Sequence, residues 1–389
     1  MEFSFTYAGP ANIIFGKGAS QDVGAHFKRL GLKRVLVVTD AGLKKAGVVG
    51  QILTVLKNEK IEFDIFDNVD PSPTVDNVKE GSSVFKSGKT QGLLALGGGS
   101  PIDAAKGIAL VKMTGTSIDE IMEKGVPPVR ERVSLITLPT TAGSGSEVSL
   151  TAMIKDKVKK KKVALREIPP AVTIYDPLLT LTMPPRITKS SGMDAFAHAV
   201  GSYTNKVFNP VVDAGNLEAI RLISENLPLV ISKGDNLDAR TFMLYGNMQA
   251  GIGVFNTGAD LTHGIGTLFE ASFDCVHGEV CAVLMPHCVE YSIPGDPEKY
   301  CQVARAMGEH VNGLTPMEGA TKALSAIRNL LSKIGMPQRL RDLGLVRGKI
   351  QEMWKSEETL RMATRSRAAQ ANCRAITIDE MITLCERAY

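Results

Sequence analysis

No cysteine precedes Cys275 in this chain of 389 residues, and there are six in all. Cys275, Cys281, Cys288, Cys301, Cys373 and Cys385 form no CxxC pair. That spacing suggests neither a disulfide framework nor a zinc knuckle, so a reducing cytosol and a cytoplasmic protein are expected. Long apolar runs are missing too. No segment approaches the about 18 residues that a spanning helix needs, so no membrane part is expected. The opening "MEFSFTYAGPANIIFGKG" lacks a basic stretch followed by an apolar one, so no secretory signal is expected. An excess of one charge is also absent. Lys and Arg number 45 against 41 Asp and Glu, a net charge of +4, which does not argue for nucleic acid or an anionic membrane as partner. A hydrophobic fraction of 44% and a charged fraction of 22% are ordinary for a soluble globular protein. The length suits two domains better than one core.

The first half alternates short β-branched runs with helical stretches. "RVLVVTD" (34–40), "IEFDIFD" (61–67), "GLLALGGG" (92–99), "VSLITLP" (133–139) and "AVTIYD" (171–176) read as buried strands. Helical spacing falls around 19–30, 46–59, 75–88 and 101–113. Such alternation implies a mostly parallel sheet covered on both faces. After about residue 186 the strands stop, and helical patterns fill the rest. Thr315-Pro316-Met317-Glu318 is a capping box with proline in the first turn, and Thr377 with Glu380 repeats the device. "DPLLTLTMPP" (176–185) reads as the hinge, and no internal repeat is visible.

"LLALGGGSPIDAAKG" (93–107) runs from an apolar strand through three glycines into a helix. Gly97, Gly98 and Gly99 let the backbone approach a ligand, and the helix start offers N–H groups to a phosphate. Ser100 reads as the N-cap, Pro101 as the first-turn proline and Asp103 as a first-turn acid. The spacing is neither GxGxxG nor a P-loop, and a plain tight turn is the competing reading. "LPTTAGSGSEVS" (138–149) is a second strand end rich in hydroxyls. Thr140, Thr141 and Ser144 are candidates for phosphate or ribose contacts there, against a merely polar loop. Two such loops at neighbouring strand ends fit ligand binding on an open α/β sheet. Asp40 ends the strand "RVLVVTD", where a carboxylate accepts ribose hydroxyls and repels a 2′-phosphate. That favours NAD over NADP; a turn aspartate before Ala41-Gly42 is the plain alternative.

"SGMDAFAHAV" (191–200) places Asp194 and His198 four apart, on one face of a helix. Two further histidines, His263 and His277, stand fourteen residues apart. On one straight helix that is about 21 Å, too far for ligands that each lie about 2.1 Å from an ion. The chain must therefore break between them, and "SFDCVHGE" (272–279) suits a break. Three imidazoles and a carboxylate suit Fe²⁺ or Zn²⁺. The opposing reading has Asp194 as a cap and the histidines as satisfied core residues. His287, after Pro286, is a candidate to border a cleft, while His26 and His310 read as surface residues on helices.

"GGGSPIDAAKGIAL", "LPTTAGSGSEVS", "DPLLTLTMPP", "GMDAFAHAV" and "HGEVCAVLMPH" together resemble the iron-dependent (group III) alcohol dehydrogenases of the dehydroquinate synthase-like superfamily. The motifs run in family order from about residue 10 to the C-terminus. The resemblance implies an α/β Rossmann-like N-terminal domain (1–185) that binds the dinucleotide. It also implies an all-α C-terminal domain (186–389), with NAD(P) and a metal in the cleft between the two. By motif position, Asp194, His198, His263 and His277 match the family's metal ligands. Asp40, the Gly97–Ser100 loop, Thr140 and Thr141 match its cofactor contacts. The lysine run "KDKVKKKK" (155–162) reads as a solvated hairpin, and by family position Lys162, or Lys160, reaches the cofactor. Two departures stand out. The family commonly has a histidine four residues after its third ligand, where this chain has Thr267, and often a glutamate three after its second, here Gly201.

The implied activity is reversible oxidation of a small primary alcohol, or of a diol or hydroxy acid, to its carbonyl. The metal would stabilise the alkoxide and hydride would pass to nicotinamide. Proton relay falls to water, the ribose hydroxyls or Thr267. Phe255, Leu268 and Phe273 are candidates for an apolar pocket, with core packing as the competing fate. The family implies a homodimer or larger homo-oligomer. The alternatives are a non-redox dehydroquinate synthase-like lyase, a metal-independent maleylacetate reductase-like enzyme, and a nucleic-acid binder built on the lysine run.

Overall fold

The computed structural model describes residues 4–9 and 12–389. The chain forms two compact units. One is Gly9–Met183; the other is Pro184–Tyr389 with Met1–Ala8, of which residues 4–8 are described. No helix among the described residues is long and apolar enough to cross a membrane.

The first unit is built from β1 (Ile13–Phe15), α1 (Val23–Arg29), β2 (Arg34–Val38), α2 (Ala41–Lys45), α3 (Val48–Asn58), β3 (Glu62–Phe66), α4 (Val75–Ser87), β4 (Gly92–Gly97) and α5 (Gly99–Thr114). It continues through α6 (Ile118–Lys124), β5 (Ser134–Pro139), β6 (Ala152–Asp156), β7 (Lys161–Leu165) and β8 (Val172–Tyr175). Six strands form a sheet in the order β1-β8-β5-β4-β2-β3, and every pair in it is parallel. The period of two splits the apolar residues between two cores. Leu36, Val38, Leu93 and Ala95 pack with Val78 and Phe85 of α4 and Ile102 and Ile108 of α5. Val35, Val37, Leu94 and Leu96 face the other way, with Phe27 of α1 and Ile52 and Leu56 of α3. Burial on both faces explains why the strands read as continuous apolar runs.

All five sequence-visible strands form. β1, α2 and α6, of three, five and seven residues, escape pattern reading because each is too short to show a period. The lysine run makes the turn of the antiparallel β6–β7 hairpin, with Lys160 at φ 48. Lys157 pairs with Asp70 at 2.8 Å, and Lys159 pairs with Glu123.

The second unit is helical: α7 (Pro185–Thr204), α8 (Pro210–Ser232), α9 (Leu237–Thr257), α10 (Leu261–Ser272), α11 (His277–Ser292) and α12 (Pro297–Ala306). Beyond these lie α13 (Pro316–Lys333), α14 (Arg347–Met353), α15 (Glu357–Arg365), α16 (Arg367–Ala371) and α17 (Ile378–Ala388). Both expected capping boxes are made, Thr315 with Glu318 at the start of α13 and Thr377 with Glu380 at the start of α17. Helix α7 is the inner one. Every residue from Gly192 to Thr204 is buried, with α8, α9, α10 and α11 packed against it. A helix enclosed on all sides needs small residues for close neighbours, which accounts for the composition of "SGMDAFAHAV".

Candidate metal centre and nucleotide loops

Asp194 and His198 project from adjacent turns of α7, with His198 Nε2 4.0 Å from Asp194 Oδ1. The chain breaks where the two distant histidines required it: α10 ends at Ser272 and α11 starts at His277. Helix α10 is capped by Asp260, which accepts the Thr262 N–H at 3.0 Å and sets His263 in the first turn. His263 Nε2 lies 3.3 Å from Asp194 Oδ1 and His277 Nε2 lies 3.6 Å from the same oxygen. The His198 and His263 rings stack, with centroids 4.1 Å apart. Thus the structure brings all four expected residues together around one buried carboxylate.

Two glycines permit this approach. A Cβ on Gly278 would come within 2.0 Å of the Ser190 carbonyl of α7, so only glycine lets the start of α11 bring His277 to Asp194. A Cβ on Gly201 would come within 2.8 Å of the Asp260 carboxylate. The family's glutamate has no room there, because the cap of α10 takes the space.

The electrostatics follow from burial and charge. Burial alone would raise Asp194, but the His198, His263 and His277 side chains outweigh it and hold it down at about 2. Burial alone would lower His263, but the Asp194 and Asp260 carboxylates outweigh it and raise it to about 9. An anion only 8% exposed needs such compensation. On the outer side of the rings, Glu270 Oε2 is 3.1 Å from His277 Nδ1 and Asp260 Oδ1 is 4.0 Å from His263 Nδ1. Neither Nδ1 has an aligned hydrogen bond. Carboxylates behind imidazoles orient ligating histidines and raise their basicity. Donors about 2.1 Å from an ion in a tetrahedron stand about 3.4 Å apart, so the 3.3 and 3.6 Å spacings fit a divalent cation, while His198 at 4.0 Å stands wider.

Cys281, which the sequence reading did not single out, stands beside the cluster. Its Sγ lies 3.6 Å from His277 Nε2, and the ligand atoms of Asp194, His263, His277 and Cys281 all lie within 4.8 Å of one another. Burial, and after it the Asp194 carboxylate, keep this thiol well above its ordinary value. The available signal was its place four residues after His277. The Thr267 hydroxyl donates to the His263 carbonyl at 2.9 Å, one turn back in its own helix. Leu268 joins an apolar core, with Phe273 packed beside it, and Phe255 is half-buried. His287 stands away from the cluster among Arg387, Arg328 and Glu290. His26 is on α1 as expected, but His310 lies in an exposed loop, not on a helix.

In the α/β unit, β2 and β4 are neighbours from which the strand order departs in opposite directions. That is the switch point where such sheets open a crevice at the carboxyl ends of their strands. Asp40 follows β2, the glycine turn follows β4, and Thr140, Thr141 and Ser144 follow β5. Asp40 is the N-cap of α2 and accepts the Leu43 N–H at 3.0 Å. The start of α5 differs from expectation. Gly98, not Ser100, is its N-cap, without any side-chain cap bond, and the Ser100 hydroxyl bonds to the Pro71 carbonyl instead. The helix N–H groups are left for a ligand because the glycines continue straight into the first turn. Gly97 has φ 153, a conformation that favours glycine. A Cβ on Gly98 would lie 3.0 Å from Thr141 Oγ1, and one on Gly99 2.7 Å from Ser144 Oγ, so glycine lets the two loops touch.

Asp103 lies inside α5 rather than in its first turn. It accepts from the Ser146 hydroxyl and from the Met153 N–H at 3.0 Å. One turn on, Lys106 is fully buried, its ammonium bonded to the carbonyls of Ser146, Ser149 and Thr151 at 2.6, 2.8 and 2.8 Å. Burial lowers Lys106 to about 8 against the pull of Asp103 and Glu147. Burial raises the Asp103 carboxyl, and Lys106 and, more weakly, the half-buried Lys162 on β7 pull against it.

A parallel nucleotide-type sheet and a helical unit with imidazoles gathered on a carboxylate mark the α/β-plus-helical, dehydroquinate synthase-like fold class. The chain belongs to the iron-containing alcohol dehydrogenase family: the family's model matches residues 10–177, and that of its C-terminal part matches 188–389. It is 38% identical over 351 residues to the 1,3-propanediol dehydrogenase of Klebsiella pneumoniae, covering 88% of this chain and 89% of that one. It is 32% identical over 382 residues to the NAD-dependent methanol dehydrogenase of Bacillus methanolicus, covering 97% and 98%. The structure of an alcohol dehydrogenase from Oenococcus oeni superposes with a TM-score of 0.93 at 30% identity, covering 99% of this chain and all (100%) of that one. The protein is an alcohol dehydrogenase/aldehyde reductase of the class acting on CH–OH groups.

Proposed function

We propose that this enzyme interconverts a small primary alcohol, diol or hydroxy acid and its carbonyl with NAD. The divalent ion, Fe²⁺ or Zn²⁺, is held by Asp194, His198, His263 and His277. The convergence of His198, His263 and His277 on one Asp194 oxygen at 4.0, 3.3 and 3.6 Å is the observation that carries this reading. The names of the relatives, which act on 1,3-propanediol and on methanol, support small alcohols as the substrate class.

When bound, the ion supplies Lewis acidity that eases loss of the alcohol proton, and NAD supplies the hydride acceptor. Asp194 offsets the ion's charge, and the Glu270 and Asp260 carboxylates orient the imidazoles. The α5 N-terminus, Gly97 to Ser100, takes the pyrophosphate, while Thr140, Thr141 and Ser144 contact phosphate or ribose. Asp40, held at the end of β2 by its bond to Leu43, accepts the ribose hydroxyls and repels a 2′-phosphate, hence NAD before NADP. Lys162 reaches the cofactor from β7. In the arrangement described, the Thr267 proton is given to the His263 carbonyl, so a relay through Thr267 requires that hydroxyl to rotate.

The test is metal analysis of anaerobically purified protein beside an NADH-absorbance assay with two- to four-carbon alcohols and diols. His263→Ala is run in parallel. About one ion per chain, with ion and turnover both lost in the variant, is the expected result. Folded protein that reduces NAD without any ion would overturn the metal role.

A further inference from the structure

We infer that Arg186 and Glu279 are positioning residues that set how long the ion stays in the cage. Their ion pair pins the first turn of α11 to the first turn of α7 and so keeps His277 facing Asp194. The inference rests on the metal reading above and concerns retention of the ion, not the identity of its ligands.

Of the four candidate ligands, His277 is the one nearest water. Its side chain is 25% exposed, against 11% for Asp194 and His198 and 7% for His263. It is also the first residue of its helix. Asp260 caps α10 ahead of His263, whereas Val276 stands at the cap of α11 and offers no side-chain bond. Only the four residues 273–276 join α10 to α11. An uncapped first turn has unpaired N–H groups and frays before the rest of its helix. Release of the ion therefore starts at His277 unless another contact holds that turn.

That contact is Glu279. The Arg186 Nε donates to Glu279 Oε1 at 2.8 Å, and Nη2 donates to Oε2 at 3.0 Å. Two parallel bonds fix direction as well as distance. The Glu279 side chain is 11% exposed and that of Arg186 is 74% exposed, so the guanidinium reaches the carboxylate from the solvent side. Between His277 and Glu279, Gly278 lies against the Ser190 carbonyl of α7, so the pair closes a contact that the backbone has already made.

The plain alternative is a first-turn acid that only favours the helix dipole, in a surface ion pair of small worth. Arg221 with Glu218 and Glu225 is of that kind: all three belong to α8, and each is 42% exposed or more. Arg186 and Glu279 instead join two helices that both carry candidate ligands. Loss of Arg186 strands a buried carboxylate two residues from His277, and a buried charge without its partner drives local opening.

The test uses the full chain, stripped of metal anaerobically, loaded with Zn²⁺ to one per chain and mixed with an excess of chromophoric chelator. Release from Arg186→Gln should be at least about tenfold faster than from wild type. Arg186→Lys, which keeps the charge but not the fork, should fall between the two. Glu279→Gln alone should also speed release, and adding it to Arg186→Gln should raise the rate no further, because both changes break one interaction. Arg221→Gln should release at the wild-type rate. In the stripped proteins, hydrogen exchange should be faster in Arg186→Gln over 279–283 and unchanged over 192–204, a pattern that general loss of stability does not give. Equal release from wild type and Arg186→Gln, or single effects that multiply in the double variant, overturns the latch and leaves the cage standing. Folded wild-type protein that takes up no Zn²⁺ overturns the cage itself, and the latch with it.

Discussion

Asp194 holds a negative charge where it is only 8% exposed, and the three imidazoles around it are its compensation in the metal-free protein. This makes metal uptake a competition with protons. His263 is raised to about 9 from 6.5, so without metal it is protonated at neutral pH. Its charged form stabilises the fold fully below 6.5, and that contribution is lost as pH rises through about 9. An ion needs the neutral ring, so apparent Zn²⁺ affinity of the stripped protein should rise about tenfold per pH unit from pH 6 to about 9. Competition titrations with a chromophoric chelator at several pH values measure the slope. A flat profile would mean that no proton leaves His263 when the ion binds. At this scale much was legible. Asp194 and His198 are four apart, and histidine is scarce enough for the other two to stand out. The place of Cys281 beside the cluster was not, because a cysteine in an apolar helix reads as core until its neighbour across the turn is known to point at a carboxylate.

Among the elements, α5 does two jobs that its sequence shows unequally. Its glycine-rich start is visible as a motif. Its clamp is not: Asp103 reads as a first-turn acid, and nothing local marks Lys106, until the fold wraps the chain of 146–153 around them. Three ammonium donors meet three carbonyls, at 2.6 to 2.8 Å, so the loop that carries Thr140, Thr141 and Ser144 is fixed to the helix that carries the glycine turn. Long-range contacts of this kind leave no local pattern, whereas strand alternation and capping boxes do, which is why β2 to β5 and α13 could be read and this clamp could not. Lys106→Met removes the donors without changing length. Each buried carbonyl left unpaired costs about 1–3 kcal/mol, so a lowered urea midpoint is expected. The NAD dissociation constant should rise roughly tenfold, equal to about 1.4 kcal/mol, while metal content stays the same. Unchanged NAD affinity would mean that the clamp does not position the loop.

The molecule as a whole divides its chemistry between two compact units, and that division can be measured. The candidate ligands all belong to Pro184–Tyr389, on α7, α10 and α11, and the candidate nucleotide loops all belong to Gly9–Met183. A ligand that binds only the folded state stabilises it by about 2.7 kcal/mol at a hundredfold excess over its dissociation constant. Hydrogen exchange reports where that stabilisation is felt, since sub-global opening is resolved segment by segment. Zn²⁺ added to stripped protein should slow exchange in 192–204, 261–272 and 277–285. The turn 97–103 and the loop 140–146 should respond only to NAD. The carboxylate in Asp194 is what couples the three helices, because an unneutralised buried cluster of imidazoles favours local opening of α10 and α11 against α7. Protection by Zn²⁺ that is absent from α7, or NAD protection that misses both loops, would contradict the assignment of each ligand to its unit.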